Sequence, residues 1–280
     1  MVQQLGSLAE VASNYDAIVL DQWGVLHDGS APYPFAIRAL AQLKARKLRL
    51  AVLSNSGKRA EPNKAQLSKI GFAPGTFDCV MTSGEALWRE FSSGLVRVSR
   101  LYPITRGPGD AEAWAEGLDV SFVPIDRAEA VLLMGLPDTA GANDFDEAFA
   151  PALRRNLPVY CSNPDRTAPR AGGVTVVMPG TLAHSHAACG GNVRFVGKPY
   201  LPVFRAVETA LGVPPEKLLM VGDSLEHDIA GAHAAGWHSV FIRGGLHAES
   251  FRSGGIEETV ADLARKIGAP LPEFTLEDLR

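Results

Sequence analysis

Ala17-Ile18-Val19-Leu20-Asp21-Gln22-Trp23-Gly24-Val25 and, far downstream, Leu218-Leu219-Met220-Val221-Gly222-Asp223-Ser224-Leu225-Glu226-His227-Asp228 decide the reading of this chain. In each, an apolar run without alternation stops abruptly on an acid. Such runs suit strands covered on both faces of a parallel sheet. Polar residues at their ends then lie on the carboxyl edge, where open α/β sheets place ligand sites. The same punctuation recurs at Leu48–Leu53 before Ser54-Asn55, at Phe77–Met81 before Thr82-Ser83-Gly84 and a helix over Glu85–Phe91, and at Trp237–Ile242 before Arg243-Gly244-Gly245.

The middle of the chain predicts a second unit of the same class. Val131–Leu136 and Pro158–Cys161 read as strands, Phe145–Arg155 as the helix between them, and Gly172-Gly173 as a break before Val174–Met178. No repeat points to a solenoid. The expected architecture is a Rossmann-like α/β core over residues 1–82 and 187–280, interrupted by an inserted α/β domain over 83–186. Ala269–Arg280 is expected to be loosely attached.

Composition narrows the class. The chain has 280 residues, 46% hydrophobic and 21% charged, enough apolar material to fill a packed interior and too much for a disordered chain. No apolar stretch has the length of a membrane helix, and the first residues lack the basic start and apolar block of a secretory signal. Lys plus Arg number 27 and Asp plus Glu 31, a net charge of −4 that offers no basic field for nucleic acid or acidic lipid. Cys79, Cys161 and Cys189 form neither a disulfide framework nor a CxxC site, which points to a reducing cytoplasm.

Four features carry chemistry. Asp21 follows a strand, exposed yet held by rigid backbone, as a nucleophile or metal ligand must be. Ser54-Asn55-Ser56-Gly57 follows the next strand and offers a hydroxyl with small neighbours whose N–H groups can face an anion. Lys198, in Gly197-Lys198-Pro199 before a helix over Val203–Leu211, can reach a phosphoryl oxygen as a point charge. Asp223 and Asp228 flank a strand-to-helix turn and suit a hard divalent cation. Taken singly, Asp21 can be a turn former, Ser54 a turn residue, Lys198 a solvated lysine, and the acid pair a helix cap. Their conjunction, each at a strand end and in this order, favours chemistry.

The order and spacing resemble the haloacid dehalogenase superfamily of phosphohydrolases. The size and position of the insertion resemble its class IIA branch of NagD-like, nitrophenylphosphatase-like and pyridoxal-phosphatase-like enzymes. Thr82-Ser83-Gly84-Glu85-Ala86, Asn163-Pro164-Asp165 and Val196-Gly197-Lys198-Pro199 add to the likeness, which runs from about Ala17 to about Gly245. The resemblance implies a Mg2+-dependent phosphatase in which Asp21 attacks phosphorus and becomes an aspartyl-phosphate. Ser54, Asn55 and Lys198 would hold the phosphoryl group. The Asp21 carboxylate, the Trp23 carbonyl, Asp223 and the nearby Asp228 would bind the metal. The insertion would be a C2-type cap that closes over the cleft, with Asp165 at its Asn-Pro-Asp turn contacting substrate, and caps of this kind often help to form homodimers.

One departure matters. Phosphatases of the resembled family carry a second Asp two residues after the nucleophile, as acid for the leaving group and base for water; here that position is Trp23. An indole N–H cannot relay a proton. Positioned proton transfer contributes about 10²–10⁴-fold, and without it aryl or acyl phosphates should outpace alkyl phosphates. His27 and Asp28 are the nearby substitutes, or simply part of the turn over the site. Elsewhere, His184-x-His186 with Cys189 lacks a fourth ligand for zinc, Gly107-x-Gly109 lacks the rest of a dinucleotide loop, and Trp88 and Trp114 read as packing. Arg166, Arg170 and His184 are candidate substrate contacts. The expected activity is hydrolysis of a small phosphorylated metabolite. The alternatives are a weakly catalytic phosphometabolite-binding protein and a receiver-like phosphoacceptor switch, the latter opposed by the insertion between Ser54 and Lys198.

Overall fold

A computed structural model describes residues 2–141, 143–169 and 174–280. The chain forms two compact units. The first comprises the residues up to Ser54, Glu61–Met81 and Lys198–Arg280, and the second comprises Asn55–Ala60 and Thr82–Gly197. In chain order the strands are β1 (Gln3–Gln4), β2 (Ala17–Leu20), β3 (Arg49–Ser54) and β4 (Cys79–Thr82), then β5 (Arg100–Ile104), β6 (Ser121–Phe122), β7 (Ala130–Leu133) and β8 (Val159–Cys161). They continue with β9 (Thr167–Pro169), β10 (Thr175–Val177), β11 (Val193–Phe195), β12 (Leu218–Gly222), β13 (His238–Ile242) and β14 (Phe274–Leu276).

The first unit is built on a sheet ordered β1-β14-β13-β12-β2-β3-β4. β2 runs parallel to both β12 and β3, with Leu20 opposite Val221 on one side and Val52 on the other. The chain winds outward through β3 and β4 in one direction and through β13 and β14 in the other. The order therefore reverses at β2 and β12, which is where a crevice forms at the carboxyl edge. Both strands are buried along their whole length, as their unbroken apolar sequences require. Ile18, Leu20, Leu50, Val52, Leu219 and Val221 enter one core, while Phe241 packs with Leu225, Ile229 and Val260 in another. The rigid frame under the strand ends rests on this two-sided burial.

The second unit has its own parallel sheet, β11-β8-β7-β5-β6, and its own core around Val131, Leu133, Val159 and Cys161. Two expectations shift here. The strand expected over Val131–Leu136 ends at Leu133, because the N–H groups of Met134 and Gly135 both turn to the carbonyl of Ile104, at 2.9 and 3.4 Å. Val174–Met178 supplies β10, which pairs antiparallel with β9 rather than joining the parallel sheet. The expected glycine break at Gly172-Gly173 lies outside the described residues. The unit also runs on past the expected limit of 186 to Gly197, because β11 adds in register to β8, with Arg194 opposite Tyr160.

The carboxyl segment is not loosely attached. β14 lies between β1 and β13, the Thr275 hydroxyl donates to the Phe241 carbonyl at 3.0 Å, and Leu276 and Leu279 are fully buried. Its three-residue strand gains its stability from partners on both sides, which no local pattern advertises. Replacing Leu276 with Ala should therefore cost about 2–5 kcal/mol in denaturant unfolding. A loss below about 0.5 kcal/mol, the range of surface substitutions, would return the tail to the periphery.

Candidate active site

Asp21 is the first residue beyond β2, and its N–H donates to the Val221 carbonyl at 2.9 Å, so the nucleophile candidate continues the ladder of the sheet. Lys198 sits between two carboxylates. Its Nζ donates to Asp21 Oδ1 at 2.6 Å and to Asp228 Oδ1 at 2.7 Å. Burial opposes the charge on Lys198, but the two carboxylates outweigh it and hold the ammonium above its ordinary value. Asp228 reaches this position through the widened turn Leu225–Ile229, which Ser224 caps by accepting from the His227 N–H at 3.1 Å. Its second oxygen accepts from the Ser224 N–H at 3.1 Å. Asp228 is thus a fully buried carboxylate shared between the Lys198 ammonium and the Ser224 N–H.

Asp223 completes the group. One oxygen each from Asp21, Asp223 and Asp228 can lie within 4.8 Å of one another, the one such cluster of possible metal ligands among the described residues. Asp223 Oδ2 accepts from the Leu246 N–H at 2.8 Å. Two glycines press against it: a Cβ on Gly24 would stand 1.9 Å from that oxygen, and one on Gly245 would stand 2.2 Å from it. Gly24 also has φ +75°, so no other residue fits there without strain. The sequence does not reveal the Leu246 contact or the close approach of these glycines; the Gly244-Gly245 pair just beyond β13, on the edge shared with Asp21, is the available signal.

The electrostatics fit a divalent cation. Burial, followed by the charges of Asp21 and Asp228, pushes Asp223 up to about 8. Burial pushes Asp228 up to about 6 even though Lys198 acts in the opposite direction. Three carboxylates face one ammonium, and an all-oxygen donor set of this charge suits Mg2+. Such an ion would be held by Asp21, Asp223 and Asp228, with the Trp23 carbonyl as the further ligand implied by the family resemblance.

Ser54 ends β3, and the β2–β3 register puts its strand end on the same sheet edge as Asp21. In the second unit, Asn55 Nδ2 donates to Asp165 Oδ1 at 2.7 Å, and the Ser83 hydroxyl donates to Asn55 Oδ1 at 3.3 Å. The Asp165 N–H donates to Asn163 Oδ1 at 3.1 Å, so Asn163-Pro164-Asp165 closes as an Asx turn. Asp165 therefore holds the side chain of Asn55, the residue directly following Ser54. Arg166 is exposed, and Arg170 lies outside the described residues. The His184 ring packs on Phe195 and that of His186 on Phe149, and no metal cluster gathers around them among the described residues.

Position 23, where the family resemblance implies an acid, is also defined. Trp23 is 58% exposed, its ring edge-on to His27 at 5.6 Å between centroids. His27 is buried; its Nδ1 accepts from the Gly29 N–H at 3.0 Å, and its Nε2 is closed off from solvent. Asp28 Oδ1 accepts from the N–H groups of Ala31 and Ser30 and from the Ser30 hydroxyl, each at 2.8 Å. Those bonds hold its carboxyl down at about 2. Asp28 is a turn carboxylate with no proton to give near neutrality, and His27 is a structural member of the same loop.

Family models agree with this geometry. A haloacid dehalogenase-like hydrolase model matches residues 18–116, and an HAD-hydrolase-like model matches residues 195–270. The chain is 30% identical over 241 residues to a D-glycerol 3-phosphate phosphatase of Mycobacterium tuberculosis, covering 86% of this chain and 66% of that enzyme. Chronophin of Rattus norvegicus is 27% identical over 300 residues, 96% of this chain and 94% of that protein. A solved hydrolase of the haloacid dehalogenase-like family from Brucella suis superposes with a TM-score of 0.79 at 28% identity, covering 98% of this chain and 99% of that one. The chain belongs to the haloacid dehalogenase-like hydrolases, in their class IIA branch.

The raised carboxyl of Asp223 has a consequence for stability. Between the ordinary value of 3.8 and about 8, the folded protein holds a proton that the unfolded chain has released. With a chelator present, Tm should fall as pH rises across that window and level off above it. Asp223→Asn should flatten the slope, and Mg2+ added at the alkaline end should raise the Tm of the wild type more than that of the variant. Calorimetric scans showing the same slope in both proteins would remove Asp223 from the strained cluster.

Proposed function

We propose that this phosphoric monoester hydrolase acts on a small phosphorylated metabolite, with Asp21 as nucleophile and a divalent cation, Mg2+, as cofactor. One observation carries the assignment within the carboxylate group. The Asp21 side chain keeps 17% of its surface open, whereas that of Asp228 is fully enclosed and that of Lys198 keeps only 4%. A substrate phosphorus can reach Asp21, while the other two support it from behind.

In the chemistry that follows, an Asp21 oxygen bonds to phosphorus as the ester P–O bond breaks, and the leaving oxygen departs with the bonding electron pair. Water then attacks the aspartyl-phosphate, the P–O bond to Asp21 breaks, and inorganic phosphate leaves. Lys198 keeps its proton throughout and stabilises charge growing on the phosphoryl oxygens, assisted by Ser54 and the N–H groups that follow it. A divalent ion held by Asp21, Asp223 and Asp228 would supply further charge neutralisation. Trp23 contributes no proton, so the departing oxygen takes one from water.

The second unit, inserted in the chain between Ser54 and Lys198, serves as the cap that chooses among substrates, and Asp165 acts there through its bond to Asn55. Cys79, Cys161 and Cys189 form no disulfide with one another, which suits a reducing cytoplasm. A weakly catalytic phosphometabolite-binding protein is the rival reading, favoured only by the Trp in place of the acid. Turnover separates the two. Asp21→Asn should lower hydrolysis of p-nitrophenyl phosphate with Mg2+ by about 10³-fold or more while leaving the circular dichroism spectrum and the melting transition in place. A variant with activity near wild type would mean that Asp21 is not the nucleophile.

A further inference from the structure

Two large apolar side chains are exposed on the loops that carry and contact the carboxylate cluster. Trp23 is 58% exposed and Leu246 is 65% exposed. Each is tied to the cluster by its backbone. Trp23 lies between Asp21, whose carboxylate belongs to the cluster, and Gly24, which presses on Asp223. The Leu246 N–H donates to Asp223 Oδ2, and Gly245 before it presses on the same carboxylate. The two peptides also approach each other: a Cβ on Gly24 would lie 3.4 Å from the Cα of Gly245. An exposed tryptophan is costly to leave in water, and this one does not hang loose. His27 meets its ring edge-on, and a Cβ on Gly29 would stand 2.1 Å from it, so the indole is backed on two sides.

A braced, open indole next to an accessible nucleophile can bind a flat ring by stacking. The same loop presents no proton to a leaving oxygen, since Asp28 is committed to the turn and the outer nitrogen of His27 is sealed from solvent. Both properties select the same chemistry. A phenol-type oxygen leaves without protonation far more readily than an alkyl alcohol, and its ring provides the surface that the indole can cover.

We propose that Trp23, with Leu246 beside it, is a specificity-determining residue that receives the planar aromatic leaving group of an aryl phosphate. The inference rests on the reading of Asp21 as the phosphate-transfer site and names the substrate class that site prefers. Leaving-group acidity and stacking have to be separated, so the comparison uses phenyl phosphate against a fluoroalkyl phosphate of matched leaving-group acidity. Wild type should favour the aryl ester in kcat/KM. That preference should fall about three- to tenfold in Trp23→Leu and stay within about twofold in Trp23→Phe, which keeps a ring. Leu246→Ser should lower the preference in the same direction by a smaller factor. An aryl preference unchanged in Trp23→Leu overturns the inference.

Binding provides a second readout that does not depend on turnover. Calorimetry with Mg2+ should show phenylphosphonate binding more tightly than ethylphosphonate, and Trp23→Leu should abolish the difference. If neither ester releases phosphate but this difference is present, the hydrolytic reading fails and the aromatic site stands. Equal affinities for the two phosphonates in the wild type overturn the aromatic site, whatever the turnover.

Discussion

The ammonium of Lys198, held between the carboxylates of Asp21 and Asp228 in a nearly water-free position, is the interaction on which the rest of the site depends. Removing one member of a buried charged group leaves the others uncompensated, which costs several kcal/mol. The arrangement therefore requires the strand ends that supply it to keep their register. β2 and β12 pair directly, and Asp21 extends their ladder by bonding to Val221. The widened turn after Ser224 then brings Asp228 back to the end of its own strand. Charge is still in excess, with three acids against one base, and that excess suits a divalent cation.

Much of this was legible in the sequence, for a definite reason. Asp21, Ser54, Lys198, Asp223 and Asp228 each follow or flank an element whose apolar pattern is strong, and β2 occupies the very residues that its pattern indicated. Fully buried parallel strands write themselves as unbroken apolar runs, and the polar residue that ends one is conspicuous. Short strands are different. β11 and β14 have three residues each and are stabilised by neighbours distant in sequence, so the second unit extends further and the tail packs more firmly than the local pattern indicates. Backbone donors are equally silent. Nothing in the letter at 246 says that its N–H binds Asp223, and the roles of Gly24 and Gly245 depend on a close approach visible only in three dimensions.

Trp23 stands where the family resemblance implies an acid. The carboxylate cluster and Lys198 stand beside it intact, so the proposed phosphoryl transfer to Asp21 would keep its main sources of stabilisation. What changes is the handling of protons, and with it the range of esters that can leave. Asp28 does not restore the lost function, because three hydrogen bonds within its turn hold it ionised. Nor does His27, which braces the indole from the interior. The loop exchanges a proton relay for a surface, consistent with a narrow substrate class rather than a loss of chemistry.

The central claim is that Asp21 becomes covalently phosphorylated. The direct measurement is rapid acid quenching during turnover of an aryl phosphate with Mg2+, followed by chemical trapping of acyl phosphates and mass spectrometry of the peptides. Because no carboxyl group stands ready at position 23 to activate water, the intermediate should accumulate, and the expected result is a trapped adduct on Asp21 in a large fraction of the molecules. Steady release of phosphate with no adduct on Asp21, or with the adduct on Asp223 or Asp228 instead, would contradict the account.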